Sequence, residues 1–254
     1  MYKILRRTTV GLLLLLIMPL TVWVSGWQWQ PGESGTVLKF LFWMTETVSS
    51  PWGTLTSLLL SAWVMWCLRF RWKPAILLLL IMNVTILTGQ YTKSYIKDRV
   101  QEPRPYVVWL EHSHDLDDKA FYALKRKQRS QRVETLMADD TLLPAWLKRH
   151  WAHETGFAFP SGHTMFAASW ALLIAGLLWP RRHYKTVAIV FLWASAVMGS
   201  RLLLGMHWPR DLVMATGLSW LLVTIATWLA QRFCGPLSLP PGEQNEVAQR
   251  KPEL

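Results

Sequence analysis

The chain has 254 residues, 52% of them hydrophobic and 17 of them Trp, with a formal net charge of +11. Its apolar residues come in long uncharged blocks rather than the periodic stripes of a soluble core, which excludes an ordinary soluble domain. Lys and Arg flank those blocks, so the positive charge reads as membrane orientation and attraction to anionic headgroups, and nucleic acid is excluded as a partner.

Six blocks are predicted to span a membrane: 5–24, 53–68, 74–91, 164–179, 186–198 and 212–230. A hydrocarbon core takes about 20 residues of helix, so the shorter blocks must borrow flanking residues. Backbone groups in lipid must be satisfied within the segment, so each span is a helix. The expected fold is all-α: a six-transmembrane-helix bundle forming one domain over residues 1–235. The basic start and apolar run of 1–24 mimic a secretory signal but are read as a retained first span.

In chain order, Lys3, Arg6 and Arg7 precede the first span, Arg69, Arg71 and Lys73 follow the second, and Arg181, Arg182 and Lys185 follow the fourth. These regions are expected on the cytoplasmic side, with both termini. The segment between the first two spans has only Lys39 against Glu33 and Glu46, which places it outside. After the third span comes a long outer segment with a helical insertion over about 106–155. Phe121, Leu124, Val133, Leu136 and Met137 are spaced there as on one or two amphipathic helices. Trp23, Trp27, Trp52, Trp72, Trp179 and Trp208 fall near predicted span ends, as an interfacial belt requires. Residues 236–254, rich in Pro, Gly, Glu and Gln, are expected to be a disordered cytoplasmic tail. Cys67 and Cys234 lie near cytoplasmic span ends, where a disulfide is not expected.

Three polar clusters carry the chemistry, and the order of spans puts all three at outer ends. Ionisable residues so close to hydrocarbon are costly and mark a functional site. In the first, Lys97 and Arg104 offer a point charge and a fork for a phosphate, with Pro103 and Pro105 restraining the Arg104 backbone. In the second, Pro160-Ser161-Gly162-His163 opens the fourth span. Helix-start N–H groups bind anions, Ser161 can cap, Gly162 allows close approach, and His163 can donate a proton. In the third, Arg201 adds a cation, and Pro209 suits the first turn of the last span, leaving His207 just before that helix and Asp211 within it. A carboxylate on one imidazole nitrogen frees the other to attack. Phosphoryl transfer needs mainly such positioning and charge. No cofactor is called for, and no oxygen-rich metal cage is present.

Lys97-x6-Arg104-Pro105, Pro160-Ser161-Gly162-His163 and Ser200-Arg201-x5-His207-x3-Asp211, in this order and with this span layout, resemble the three signature motifs of the type-2 phosphatidic acid phosphatase superfamily. The resemblance implies that His207 attacks phosphorus to give a phosphohistidine, with Asp211 as its partner. It implies that His163 protonates the leaving lipid oxygen and then activates water. Lys97, Arg104, Ser161, Gly162 and Arg201 would hold the phosphoryl oxygens. Substrates of similar enzymes are phosphatidylglycerol phosphate, phosphatidate, lysophosphatidate, diacylglycerol pyrophosphate and undecaprenyl diphosphate, and a bacterial inner membrane with a periplasmic site follows. The alternatives are an anionic-lipid transporter and a non-catalytic lipid-binding protein. The visible charges sit at span ends, with no internal repeat of the kind transporters show. Soluble haloperoxidases with a similar pocket are disfavoured by the apolar spans. Oligomeric state is not legible.

Other polar residues carry less weight. His112-Ser113-His114-Asp115 reads as a solvated loop, and His150, His153 and Glu154 as an interfacial surface without metal-protease spacing. Tyr91, Thr92 and Tyr95 line either the pocket or the belt. Asn83 and Gln90 are candidates for bonds between helices.

Overall fold

A computed structural model describes residues 1–32, 35–114, 116–141 and 143–237. The described residues form helices without strands: α1 Tyr2–Val24, α2 Thr36–Glu46, α3 Trp52–Leu68, α4 Trp72–Val100, α5 Pro105–His114, α6 Asp118–Ala123, α7 Arg126–Leu136, α8 Ala145–His153, α9 Gly162–Leu178, α10 Tyr184–Leu203 and α11 Pro209–Phe233. Five of them, α1, α4 and α9 to α11, are long and apolar enough to cross a membrane. The sixth predicted block, α3, is a shorter apolar helix of 17 residues.

The bundle is organised around α9. Every residue from Thr164 to Leu178 is buried, and α9 packs on α1, α3, α4, α10 and α11. An apolar helix buried on all sides is a core helix. Close approach is paid for in side-chain size: a Cβ at Gly176 would meet Thr227 Oγ1 of α11 at 2.5 Å. The helices around it turn large apolar side chains outward, among them Ile17 on α1, Leu59 and Trp66 on α3, Leu87 on α4, Leu192 on α10 and Ile225 on α11. Such an apolar exterior suits lipid and not water.

A second, smaller core lies at one end of the bundle. Tyr106, Leu110, Phe121, Val133, Met137, Leu147 and Trp151 from α5 to α8 pack with Leu204 and Met206 from the α10–α11 loop. The expected amphipathic helices of the outer segment are thus present as α6 and α7, between two further helices. Asp117 caps α6 by accepting from Ala120 N at 3.0 Å.

Two local expectations change. Residues 112–114 end α5 rather than form a loop, with His112 Nδ1 on Val108 O at 2.7 Å; Asp115 lies outside the described residues. Of the predicted tail, Leu237 is buried and its carbonyl accepts from Arg181 Nε at 2.8 Å, and 238–254 lie outside the described residues. Trp208 is half-buried, its indole N–H donating to Pro103 O at 3.0 Å. Both cysteines are free thiols.

Candidate active site

The start of α11 builds the first half of the site. Trp208 has an extended backbone, Pro209 occupies the first helical turn, and Asp211 follows in that turn. Asp211 Oδ2 accepts from Trp208 N and from His207 Nδ1, each at 3.0 Å. A carboxylate only accepts, so Nδ1 carries the proton and Nε2 keeps its lone pair. The loop holding His207 is clamped from both sides. Met206 N and His207 N donate to Arg201 O at 3.0 and 3.1 Å, closing the end of α10. Gly205 adopts φ +68°, and a Cβ there would run into the Trp29 ring at 2.7 Å. Indole N–H groups of Trp29 and Trp151 donate to Leu203 O and Leu204 O, both at 2.9 Å. Burial, then Arg104, Lys97 and Arg201, hold the His207 imidazole well below its ordinary pKa, so it is a neutral base at pH 7.

The other half surrounds one carboxylate. Glu154, just after α8, accepts on Oε2 from Arg104 Nη1 at 3.1 Å and from Arg201 Nη2 at 2.7 Å. Its Oε1 lies 3.4 Å from His163 Nε2. Burial alone would raise this carboxyl, but Arg201, His163 and Arg104 outweigh it and hold it well below the carboxylate range. Arg104 is fixed further by donating from Nε to Gly156 O at 2.6 Å. Arg201, fully buried, donates from Nη1 to Thr45 Oγ1 at 2.9 Å and to His150 Nε2 at 3.2 Å. His150 is buried and therefore pushed down to about 3, which leaves it neutral and able to accept from the guanidinium.

Residues of all three clusters meet at one end of the bundle. Lys97, Arg104, His163 and His207 line one cavity of about 500 Å³, together with Lys93 and Glu154. Ser161 is the N-cap of α9, its Oγ accepting from Thr164 N at 3.3 Å, and Ser161 N donates to Asp211 O at 3.3 Å, tying the second cluster to the third. Gly162 leaves room that Lys93 fills: a Cβ there would meet Lys93 Cδ at 2.7 Å. Lys97 lies inside the last turn of α4, which runs nine residues beyond its predicted end. Its ammonium donates to Phe157 O and, at 3.2 Å, to Ala158 O, bracing the strand of chain that leads into Ser161.

Sequence reasoning missed Glu154, which it assigned to an interfacial surface, and Lys93, His150 and Ser49. The arginine partners of Glu154 are 50 and 47 residues away in the chain, so no local spacing shows that it joins them. Lys93 lies one turn before Lys97 on α4, beyond the predicted end of that span. Gln90 does bond between helices, donating to Gly162 O at 3.3 Å, whereas Asn83 bonds to Leu79 O in its own helix. Tyr91 and Tyr95 are exposed and do not line the cavity.

A pattern describing the PAP2 superfamily matches residues 78–233, the stretch that contains all three clusters. The chain belongs to this superfamily. It is 60% identical over 253 residues to phosphatidylglycerophosphatase B of Escherichia coli (strain K12), covering 100% of both chains. It is 34% identical over 227 residues to phosphatidylglycerophosphatase B of Haemophilus influenzae, covering 87% of this chain and 93% of that protein. As a PAP2 member with such relatives it is a phosphatase. The unpatterned residues before 78 nonetheless reach the site through Thr45 and Ser49.

Proposed function

We propose that this protein is a membrane lipid phosphate phosphatase that hydrolyses phosphatidylglycerol phosphate through a phosphohistidine. Phosphatidate, lysophosphatidate, diacylglycerol pyrophosphate and undecaprenyl diphosphate present the same terminal phosphate and are further substrates. The observation that carries this reading is the convergence of Arg104 and Arg201 on one oxygen of Glu154, beside His163. Two guanidinium groups aimed at one point form an anion site, and a tetrahedral phosphoryl group with three oxygens exploits it better than a carboxylate does.

In this reading the phosphoryl group takes the place of the Glu154 carboxylate, held by Arg104, Arg201 and Lys97, the Ser161 hydroxyl and the Gly162 N–H. His207 Nε2 attacks phosphorus. The P–N bond forms as the P–O bond to the lipid breaks, and Asp211 stabilises the imidazolium character that develops on His207. His163 gives its proton to the departing alkoxide, leaving a lipid alcohol. A water then loses a proton to His163 and attacks phosphorus, the P–N bond breaks, and inorganic phosphate leaves. Charge stabilisation comes from fixed cations, and no metal takes part.

The same reading makes α3 the sixth span. Its 17 residues reach about 25 Å at 1.5 Å per residue, short of a core of about 30 Å by an amount that flanking residues and tilt can cover. Residues 1–235 form one membrane domain, with both termini cytoplasmic and the site on the periplasmic face of a bacterial inner membrane. Headgroup and acyl chain then meet the protein at one boundary. Phosphate release from a panel of purified lipid phosphates and diphosphates, by wild type and His207→Ala, tests the proposal. Release by wild type alone is expected. Binding without release by wild type would favour a transporter or a lipid-binding protein.

A further inference from the structure

The end of α2 and the turn after it precede every residue of the family pattern, yet they touch two of the signature side chains. Thr45 Oγ1 accepts from Arg201 Nη1 at 2.9 Å, and Ser49 Oγ lies 3.0 Å from His163 Nε2. The turn is itself anchored. Thr47 Oγ1 accepts from the Trp193 indole of α10 at 3.0 Å, and Thr47 O accepts from Thr56 Oγ1 of α3 at 2.7 Å. A Cβ at Gly53 would meet Val48 O at 2.5 Å, so α3 starts in close contact with the turn. A rigid turn can hold a side chain where a loop free to move could not.

The direction of the bonds at Ser49 follows from the groups around it. Its hydroxyl has two acceptors at 3.4 Å, Glu46 Oε1 and Thr45 O. With the hydroxyl hydrogen pointed at these, an Oγ lone pair is left to face His163 Nε2. The other neighbour of that nitrogen is Glu154 Oε1, which can only accept. Both neighbours therefore favour a proton on Nε2. That is the protonation a general acid needs on the nitrogen facing the anion site. Burial, followed by the Glu154 carboxylate, raises the Glu46 carboxyl, and the hydrogen bond from Ser49 works the other way by favouring the carboxylate.

We infer that Ser49, backed by Glu46, is a positioning residue that holds the His163 imidazole with its proton on Nε2, aimed at the leaving oxygen. Ser49 does not touch phosphorus and acts through His163. When a phosphoryl group displaces Glu154, His163 loses one of its two Nε2 partners, and Ser49 alone keeps the ring from turning away. The inference rests on the lipid phosphatase reading above.

Leaving groups separate this role from a structural one. A lipid alkoxide is strongly basic and needs its proton as the bond breaks. The phosphate monoester expelled from a diphosphate, with a second pKa of about 6, leaves without one. The test compares wild type, Ser49→Ala and Ser49→Thr on lysophosphatidate and on diacylglycerol pyrophosphate. Ser49→Ala is expected to lower the single-turnover rate of lipid-alcohol release from lysophosphatidate, which precedes the hydrolysis step common to both substrates, by about 10-fold, a modest share of the 10²–10⁴ available to an acid, with KM changed less than about twofold. On the diphosphate, the matching single-turnover rate of phosphatidate release should fall by less than about threefold, which also reports the folded fraction of the same preparation. Ser49→Thr, which keeps the hydroxyl, should restore the lost rate. Equal losses on the two substrates, or none on lysophosphatidate, would overturn the assignment. Wild type releasing phosphate from neither lipid would instead remove the substrate reading on which it stands.

Discussion

The two histidines of the site are held in opposite ways. His207 is oriented by Asp211, four residues away on the same stretch of chain, and by a loop that closes on its own helix. His163 lies in the first turn of α9, but its ring is contacted by Glu154 from the end of α8 and by Ser49 from the turn between α2 and α3. One corner is thus mainly a local motif and the other an assembly of three separate elements. A mainly local corner depends less on other segments, whereas an assembled one depends on how the α5–α8 layer and the bundle dock. In the proposed mechanism the local corner carries the nucleophile, whose geometry admits little error. The assembled corner responds to the incoming anion, because in that mechanism Glu154 leaves as the phosphoryl group enters.

The sharpest break of this comparison comes from His207→Ala. Loss of a nucleophile should lower kcat by about 10⁴-fold or more while the protein stays folded in membranes. Phosphate release at the wild-type rate would refute its role. Asp211→Asn should cost about 10²–10⁴-fold, since an amide no longer fixes the tautomer, and His163→Ala a similar 10²–10⁴-fold. Steady-state phosphate release measures both, and an unimpaired variant would remove that residue from the scheme.

Glu154→Gln probes the assembled corner through stability. Taking the charge from a buried group that joins two arginines should destabilise by about 3 kcal/mol, or roughly 6–12 °C in Tm for a chain of this size. Inorganic phosphate should restore more of the loss in the variant than it adds to wild type, because it fills the same place. Detergent-solubilised thermal unfolding followed by Trp fluorescence would show this. An unchanged Tm would mean that the carboxylate does not bridge the cations.

The pH profile sharpens the local corner. Burial and nearby cations lower the His207 pKa, so the neutral, nucleophilic form persists as pH falls. The acid limb of kcat/KM, which reports the free enzyme, should therefore lie below 6.5, the ordinary histidine value. A limb above 7 attributable to His207 would contradict the assignment. The smallest effect expected is that of a chelator: excess EDTA should leave the rate unchanged, and strict dependence on added Mg²⁺ would mean that fixed cations do not suffice.

How far the sequence could be read follows the same divide. Helices α1, α9, α10 and α11 were legible because lipid demands uninterrupted apolar runs, and the start of α11 because Pro209 and Asp211 mark a first turn. The three clusters were legible because ionisable groups at span ends stand out against apolar surroundings. The extension of α4 through Lys93 and Lys97 was not, since its last turns leave the apolar pattern while the helix continues. Glu154 and His150 looked like ordinary members of a charged segment, because their burial comes from packing between α8, α2 and the end of α10. Ser49 had no signal at all: its role depends on where a turn near residue 50 sits relative to a helix that begins more than a hundred residues later.

The most direct test of the account is to trap the intermediate. Brief reaction with a lipid phosphate labelled in its terminal phosphoryl group, followed by an alkaline quench and peptide mapping, should place an acid-labile, base-stable label on the imidazole of His207. The label should be absent from His207→Ala and should accumulate in variants slow in the hydrolytic step. Label on any other residue, or full label in His207→Ala, would contradict the mechanism.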